Sequence, residues 1–106
     1  MVAALATAAV AAITNVGVGE REWAISLYRA SVDRGTIRFN VHNFGEDGHD
    51  LQVRGPKRFR SRVMPEIAGG ENGVLTVRLN RAGSYRLLCT LPGHAKLGMR
   101  ATLRVR

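Results

Sequence analysis

Hydrophobic and polar residues alternate along most of the chain from Glu22 onward. Trp23, Ile25 and Leu27 interleave with Ala24, Ser26 and Tyr28. Ile37, Phe39, Val41 and Asn43 interleave with Thr36, Arg38, Asn40 and His42. The same period recurs at Leu51 and Val53, at Leu75, Val77 and Leu79, at Tyr85, Leu87 and Cys89, and at Met99, Ala101, Leu103 and Val105. Successive side chains on a strand point to opposite faces, so a period of two marks strands with one buried face. Asp33-Arg34-Gly35 and Ala82-Gly83 supply turns. Short strands, closely spaced turns and no sustained helical period predict an all-β fold, a β-sandwich. Residues 54–73 break the pattern. Gly55-Pro56, a basic run and Gly69-Gly70 predict an excursion outside the core strands, with a short helical turn near Met64-Pro65-Glu66.

A chain of 106 residues holds one domain with one core. The opening residues 1–14 are apolar, alanine-rich and uncharged. They are shorter than the roughly 20 residues that span a bilayer. Ala9-Val10-Ala11 resembles a small-residue cleavage site, although the basic start of an export signal is missing. This segment reads as an N-terminal tail, a partial signal or an anchor, ahead of a domain over residues 15–106, and predicts an extracytoplasmic setting.

The net charge of +8 is unevenly placed. Residues 1–50 carry four arginines against six carboxylates, and residues 51–106 carry twelve basic side chains against two acidic ones. The second half therefore makes a positive field that favours an acidic partner or an anionic membrane surface. Nucleic acid is not expected. No such motif is present, and the basic residues alternate along strands rather than clustering with aromatics. A single cysteine excludes an internal disulfide, a four-cysteine zinc ribbon and a two-cysteine binuclear copper site.

That cysteine opens the stretch Cys89-Thr-Leu-Pro-Gly-His94-Ala-Lys-Leu-Gly-Met99. A thiolate, an imidazole and a thioether on one loop form a soft metal site, and copper favours all three donors together. Cys89 is in phase with Tyr85 and Leu87, and Met99 with Leu103 and Val105, so both sulfurs point inward at the same end of the sandwich. The nine residues between them carry His94 over the top, with bends at Pro92-Gly93 and Gly98. Two residues compete to be the further ligand. His42 lies on the polar face of its strand, whereas His49 follows the loop Asn43–Gly48 at a strand end, which favours His49. Two histidines and a cysteine with a distant methionine describe a blue-copper electron-transfer centre.

The pattern Asn43-x-Gly45-x-x-x-His49, followed by Gly83-x-Tyr85-x-x-x-Cys89-x-x-Pro92-Gly93-His94-x-x-x-Gly98-Met99, resembles the cupredoxins, the blue copper proteins related to plastocyanin and azurin. The spacing of four residues and then four in the ligand loop is most similar to rusticyanin and sulfocyanin. The resemblance implies a Greek-key sandwich of seven or eight strands. It implies one type 1 copper ion held by His49, Cys89, His94 and Met99. Two positions bear on the fit. Asp50 stands where blue copper proteins commonly have asparagine or serine, and is expected to accept hydrogen bonds from Thr90. Gly48 stands where azurin has a glycine whose carbonyl approaches the copper axially.

The resemblance further implies a one-electron carrier rather than an enzyme, acting as a monomer between redox partners. Leu91, Pro92, Ala95 and Leu97 would form an apolar docking patch around the His94 edge. Lys96, Arg100 and the run Arg54, Lys57, Arg58, Arg60 and Arg62 would steer an acidic partner. The alternatives are copper delivery, storage or sensing without electron transfer, and a fragment of a larger copper-dependent redox enzyme.

Overall fold

The computed structural model describes residues 12–106. Ten strands follow in order: β1 (Ile13–Arg21), β2 (Ala24–Leu27), β3 (Ser31–Val32), β4 (Gly35–Asn43), β5 (His49–Gly55), β6 (Phe59–Arg60), β7 (Met64–Ile67), β8 (Asn72–Leu79), β9 (Gly83–Leu88) and β10 (Arg100–Val105). Eight of the ten strands have four residues or more, in line with the seven or eight expected. A four-residue helix, α1 (His94–Leu97), interrupts the last connection.

The strands form two sheets of a β-sandwich. Sheet A has the order β2-β1-β4-β8, and sheet B the order β3-β10-β9-β5-β6, with β7 paired to β5 outside that path. Pairing is antiparallel except between β1 and β4 and between β3 and β10. The inner faces are those marked by the period of two. Ile37, Phe39, Val41, Leu75, Val77 and Leu79 of sheet A are buried with Leu51, Val53, Tyr85, Leu87, Leu103 and Val105 of sheet B. Full burial of each aliphatic or aromatic side chain contributes about 1.5–3 kcal/mol, which offsets the entropy of ordering the strands. Tyr85 is anchored at its far end, where its hydroxyl donates to the Arg81 carbonyl at 2.6 Å.

The sequence pattern missed β1. Val16, Val18 and Glu20 alternate inward, but Gly17 and Gly19 occupy outward positions and weaken the strand signal. The rings of Tyr28 and Phe44 lie over those two glycines, where a Cβ would press on them. β1 begins at Ile13, so Ile13 and Thr14 belong to the sandwich rather than to the apolar tail; residues 1–11 of that tail lie outside the described residues.

Three further expectations are corrected. Residues 54–73 do not leave the core, because β6 and β7 both pair back onto β5. Met64-Pro65-Glu66 is the start of strand β7 and not a helical turn. Met64 and Ile67 are both buried, at a spacing that imitates a helix. A register shift between His49 and Leu51 absorbs the odd residue, and Pro65 is tolerated because β7 is an edge strand. Trp23 does not continue the buried face of β2. It sits in the β1–β2 turn and is 37% exposed.

Candidate metal centre

The ends of β4, β5, β9 and β10 meet at one end of the sandwich. Asn43, buried at the end of β4, shapes the connection to β5. Its amide donates to the carbonyls of Asp47 at 2.8 Å and Ile67 at 3.1 Å, and its oxygen accepts the Gly45 N–H at 2.8 Å. This network delivers His49 as the first residue of β5, fully buried.

Cys89 follows β9, and Met99 precedes β10; both are fully buried. The backbone closes the loop between them. The Cys89 N–H donates to the Met99 carbonyl at 3.2 Å, and the Met99 N–H donates to the His94 carbonyl at 3.1 Å. His94 opens α1, after Gly93 at φ 82°. Gly98 ends it at φ 132°, where a Cβ would lie 2.6 Å from the Trp23 carbonyl oxygen.

Three expected ligands converge. Nδ1 of His94 lies 3.3 Å from Nδ1 of His49 and 3.5 Å from Sγ of Cys89. One ligating atom from each of the three residues falls within 4.8 Å of the others. Atoms so spaced fit around one centre at the roughly 2.0–2.3 Å bond lengths of imidazole nitrogen and thiolate sulfur to a first-row ion such as zinc. The donor set of two imidazoles and a thiol, with a buried thioether at the foot of the same loop, fits copper. His42 is not part of the group. It is half-exposed on the outer face of sheet A, with Nδ1 2.6 Å from the Asn72 side-chain oxygen.

The surroundings set the charge of the site. Burial pushes the Cys89 thiol up to about 11, while backbone hydrogen bonds from Asp50 and Leu91 pull the other way. Asp50 ties the two ligand-bearing segments together as expected. One carboxylate oxygen accepts the Thr90 N–H at 2.6 Å, and the other accepts the Thr90 hydroxyl at 2.5 Å.

Three residues at the site were not anticipated. Glu22 accepts the Asp47 N–H at 2.7 Å and the Glu46 N–H at 3.1 Å, and lies 2.9 Å from Nε2 of His49. These backbone donors, with a smaller share from His49, hold its carboxyl down at about 2. The Trp23 ring packs edge-on against His94, with centroids 4.7 Å apart. Glu20, fully buried on the inner face of β1, has no hydrogen-bond partner on either oxygen among the described residues. Burial, and secondarily the Asp50 charge, raise its pKa to about 8. Glu22 and Trp23 reach the site only because β1 pairs with β4, and no local pattern in the sequence signals that long-range pairing.

Comparison with known proteins agrees with this architecture. No curated protein matches the chain. Among solved structures, auracyanin B is similar at TM-score 0.70 and 20% identity, over 94% of this chain and 93% of that one. Auracyanin A, described as a "blue" copper protein from the green thermophilic photosynthetic bacterium Chloroflexus aurantiacus, is similar at TM-score 0.68 and 18% identity, over 90% and 100%. An azurin from the methylotroph Methylomonas sp. strain J is similar at TM-score 0.70 and 20% identity, over 88% and 98%. At these identities the likeness establishes the sandwich fold. The family model for copper binding proteins of the plastocyanin/azurin family matches residues 31–106, which include His49, Cys89, His94 and Met99. With most of its length matched by that model, the chain belongs to the plastocyanin/azurin family of copper-binding proteins.

Proposed function

We propose that this protein is a mononuclear type 1 copper protein that carries single electrons between redox partners, with His49, Cys89, His94 and Met99 as ligands. The observation that carries the reading is the convergence of His49, Cys89 and His94 within 4.8 Å, at the end of the sandwich where Met99 is also buried. Bound copper supplies a one-electron couple between its two oxidation states. The chain's own residues supply the rest. Cys89 gives up its proton on loading, and the Asp50 and Leu91 amides that bond to its sulfur steady the resulting negative charge. The backbone hydrogen bonds across the 89–99 loop hold Cys89, His94 and Met99 in one arrangement. The Trp23 ring braces His94 from outside. A site fixed in this way needs little rearrangement when an electron moves.

His94 is the half-exposed member of the group, so its ring edge is the exit towards a partner. Pro92 and Leu97 are exposed beside it, with Leu91 and Ala95 half-buried. Trp23 widens this apolar patch beyond what the sequence indicated. Small apolar patches suit brief redox encounters. An extracytoplasmic setting belongs to the same proposal, supported by the apolar opening of the sequence.

Copper(II) added to the purified protein is expected to give an intense blue colour from sulfur-to-copper charge transfer, together with a reversible reduction potential. Cys89→Ser is expected to abolish the colour. Colourless, readily exchanged copper in the unmodified protein would replace this reading with copper delivery or storage.

A further inference from the structure

The two sheets treat their outward arginines differently. On sheet A, Arg38 lies between Asn15 and Thr76. Arg78 faces Thr36 and donates to its hydroxyl at 3.4 Å. On sheet B, Arg54 of β5 is paired directly with Arg60 of β6 on one side and with Arg86 of β9 on the other. Directly opposed residues on antiparallel strands share a face with Cβ atoms about 4.5–5.5 Å apart, and like charges there repel. Arg86 faces Thr102 of β10, which Arg100 and Arg104 flank on the same face. Among the described residues, none of these five arginines forms an ion pair.

This arrangement costs the isolated sheet stability, and it leaves a row of positive charge without counter-charge. Two shallow clefts open within it. Arg54, Gly55, Ser84 and Arg86 line one, and Arg86, Arg100, Ala101 and Thr102 line the other. Each cleft offers guanidinium groups and one hydroxyl, the donors that grip a carboxylate. β6, β9 and β10 contain no carboxylate, Asp50 of β5 is bonded to Thr90, and Asp33 pairs with Arg106 just past β10. Glu22 is bonded to the backbone of Glu46 and Asp47, and Glu66 packs over Gly48.

We propose that the arginine row across β6, β5, β9 and β10 is the docking face for an acidic patch on a protein partner. That the partner is a redox protein rests on the electron-carrier reading above. Arg86 precedes Cys89 by three residues, about 10 Å of extended chain. Arg100 follows Met99 directly. A partner seated on this face therefore reaches the end of the sandwich that holds the metal centre. A protein surface fits better than a bilayer. No exposed large apolar side chain lies on β5, β6, β9 or β10 to insert among lipids.

The test titrates the copper(I)-loaded protein with poly-L-glutamate at low ionic strength, reading affinity and amide shifts by NMR. Blue colour in the oxidised sample is recorded first, so a failure of the carrier reading is seen separately from a failure of docking. Arg54→Gln/Arg86→Gln and Arg38→Gln/Arg78→Gln remove the same charge from opposite sheets. We expect about a tenfold or greater loss of affinity in the first variant and about twofold in the second, with shifts centred on Ser84, Arg86 and Thr102. Arg54 is also held by Gln52, through Nε at 3.1 Å. Arg60→Gln/Arg86→Gln leaves that bond intact and is expected to lose affinity likewise. Equal losses from the two sheets, or shifts centred elsewhere, would overturn the proposal. So would phosphatidylglycerol vesicles that need Arg54 and Arg86 for binding while poly-L-glutamate does not.

Discussion

Replacing Glu20 by glutamine removes the one buried carboxyl that has no partner among the described residues. Glu20 follows Val16 and Val18 on the inner face of β1, with both oxygens unbonded. Its pKa rises from 4.5 to about 8, mainly through burial and secondarily through the Asp50 charge. The folded chain therefore holds a proton that the unfolded chain has released, throughout the interval between those values. Stability from this group is complete below about pH 4.5 and is lost as pH climbs through about 8. A gap of about 3.5 units at 1.36 kcal/mol per unit gives a ceiling of roughly 5 kcal/mol near pH 9, and only about 1 kcal/mol near pH 5. Water drawn towards the charged form lowers both figures. Against a typical total of about 5–15 kcal/mol, the alkaline loss is large. Glutamine keeps the shape and stays neutral. Urea unfolding of the copper-free protein and of Glu20→Gln should give nearly equal stabilities near pH 5. Near pH 9 the variant should lead by several kcal/mol. A difference that does not grow with pH would refute the reasoning, because Glu20 would then have to be charged and paired, or solvated, in the folded state.

Other substitutions probe the surroundings of the proposed ligands. Glu22→Gln keeps an acceptor beside His49 but removes the negative charge, so the reduction potential should rise on voltammetry; copper(II) affinity should fall about tenfold. Asp50→Asn keeps one bond to Thr90 and removes a carboxylate next to a ligand, which should also raise the potential. An unchanged or lower value in either variant counts against the electrostatic argument. Gly98→Ala places a Cβ against the Trp23 carbonyl in a left-handed backbone position, and should lower stability by about 1–3 kcal/mol in urea unfolding.

The placement of Cys89 and His94 in one cluster, and the burial of Met99 beside them, were legible because the three lie close together on one strand-loop-strand unit, where phase says which way the sulfurs face. That His49 rather than His42 joins this cluster was legible from its place at a strand end. The sandwich followed from the period of two, which holds wherever one strand face meets the core and the other meets water. The failures share a physical origin. β1 hid behind outward glycines whose role is to admit the rings of Tyr28 and Phe44. β7 hid behind a register shift that turns an alternating pattern into a helix-like one. Glu22 and Trp23 depend on a parallel pairing between β1 and β4, and no local spacing encodes it. Each of these needs knowledge of which distant segments meet.

The position of β1 limits how far the amino terminus can be shortened. It is an internal strand of sheet A, with β2 on one flank and eight paired residues of β4 on the other. A truncation that ends ahead of Ile13 leaves sheet A whole, whereas one that runs through β1 strips its pairing with β4 and frees the corner that holds Glu22 and Trp23 against the histidines.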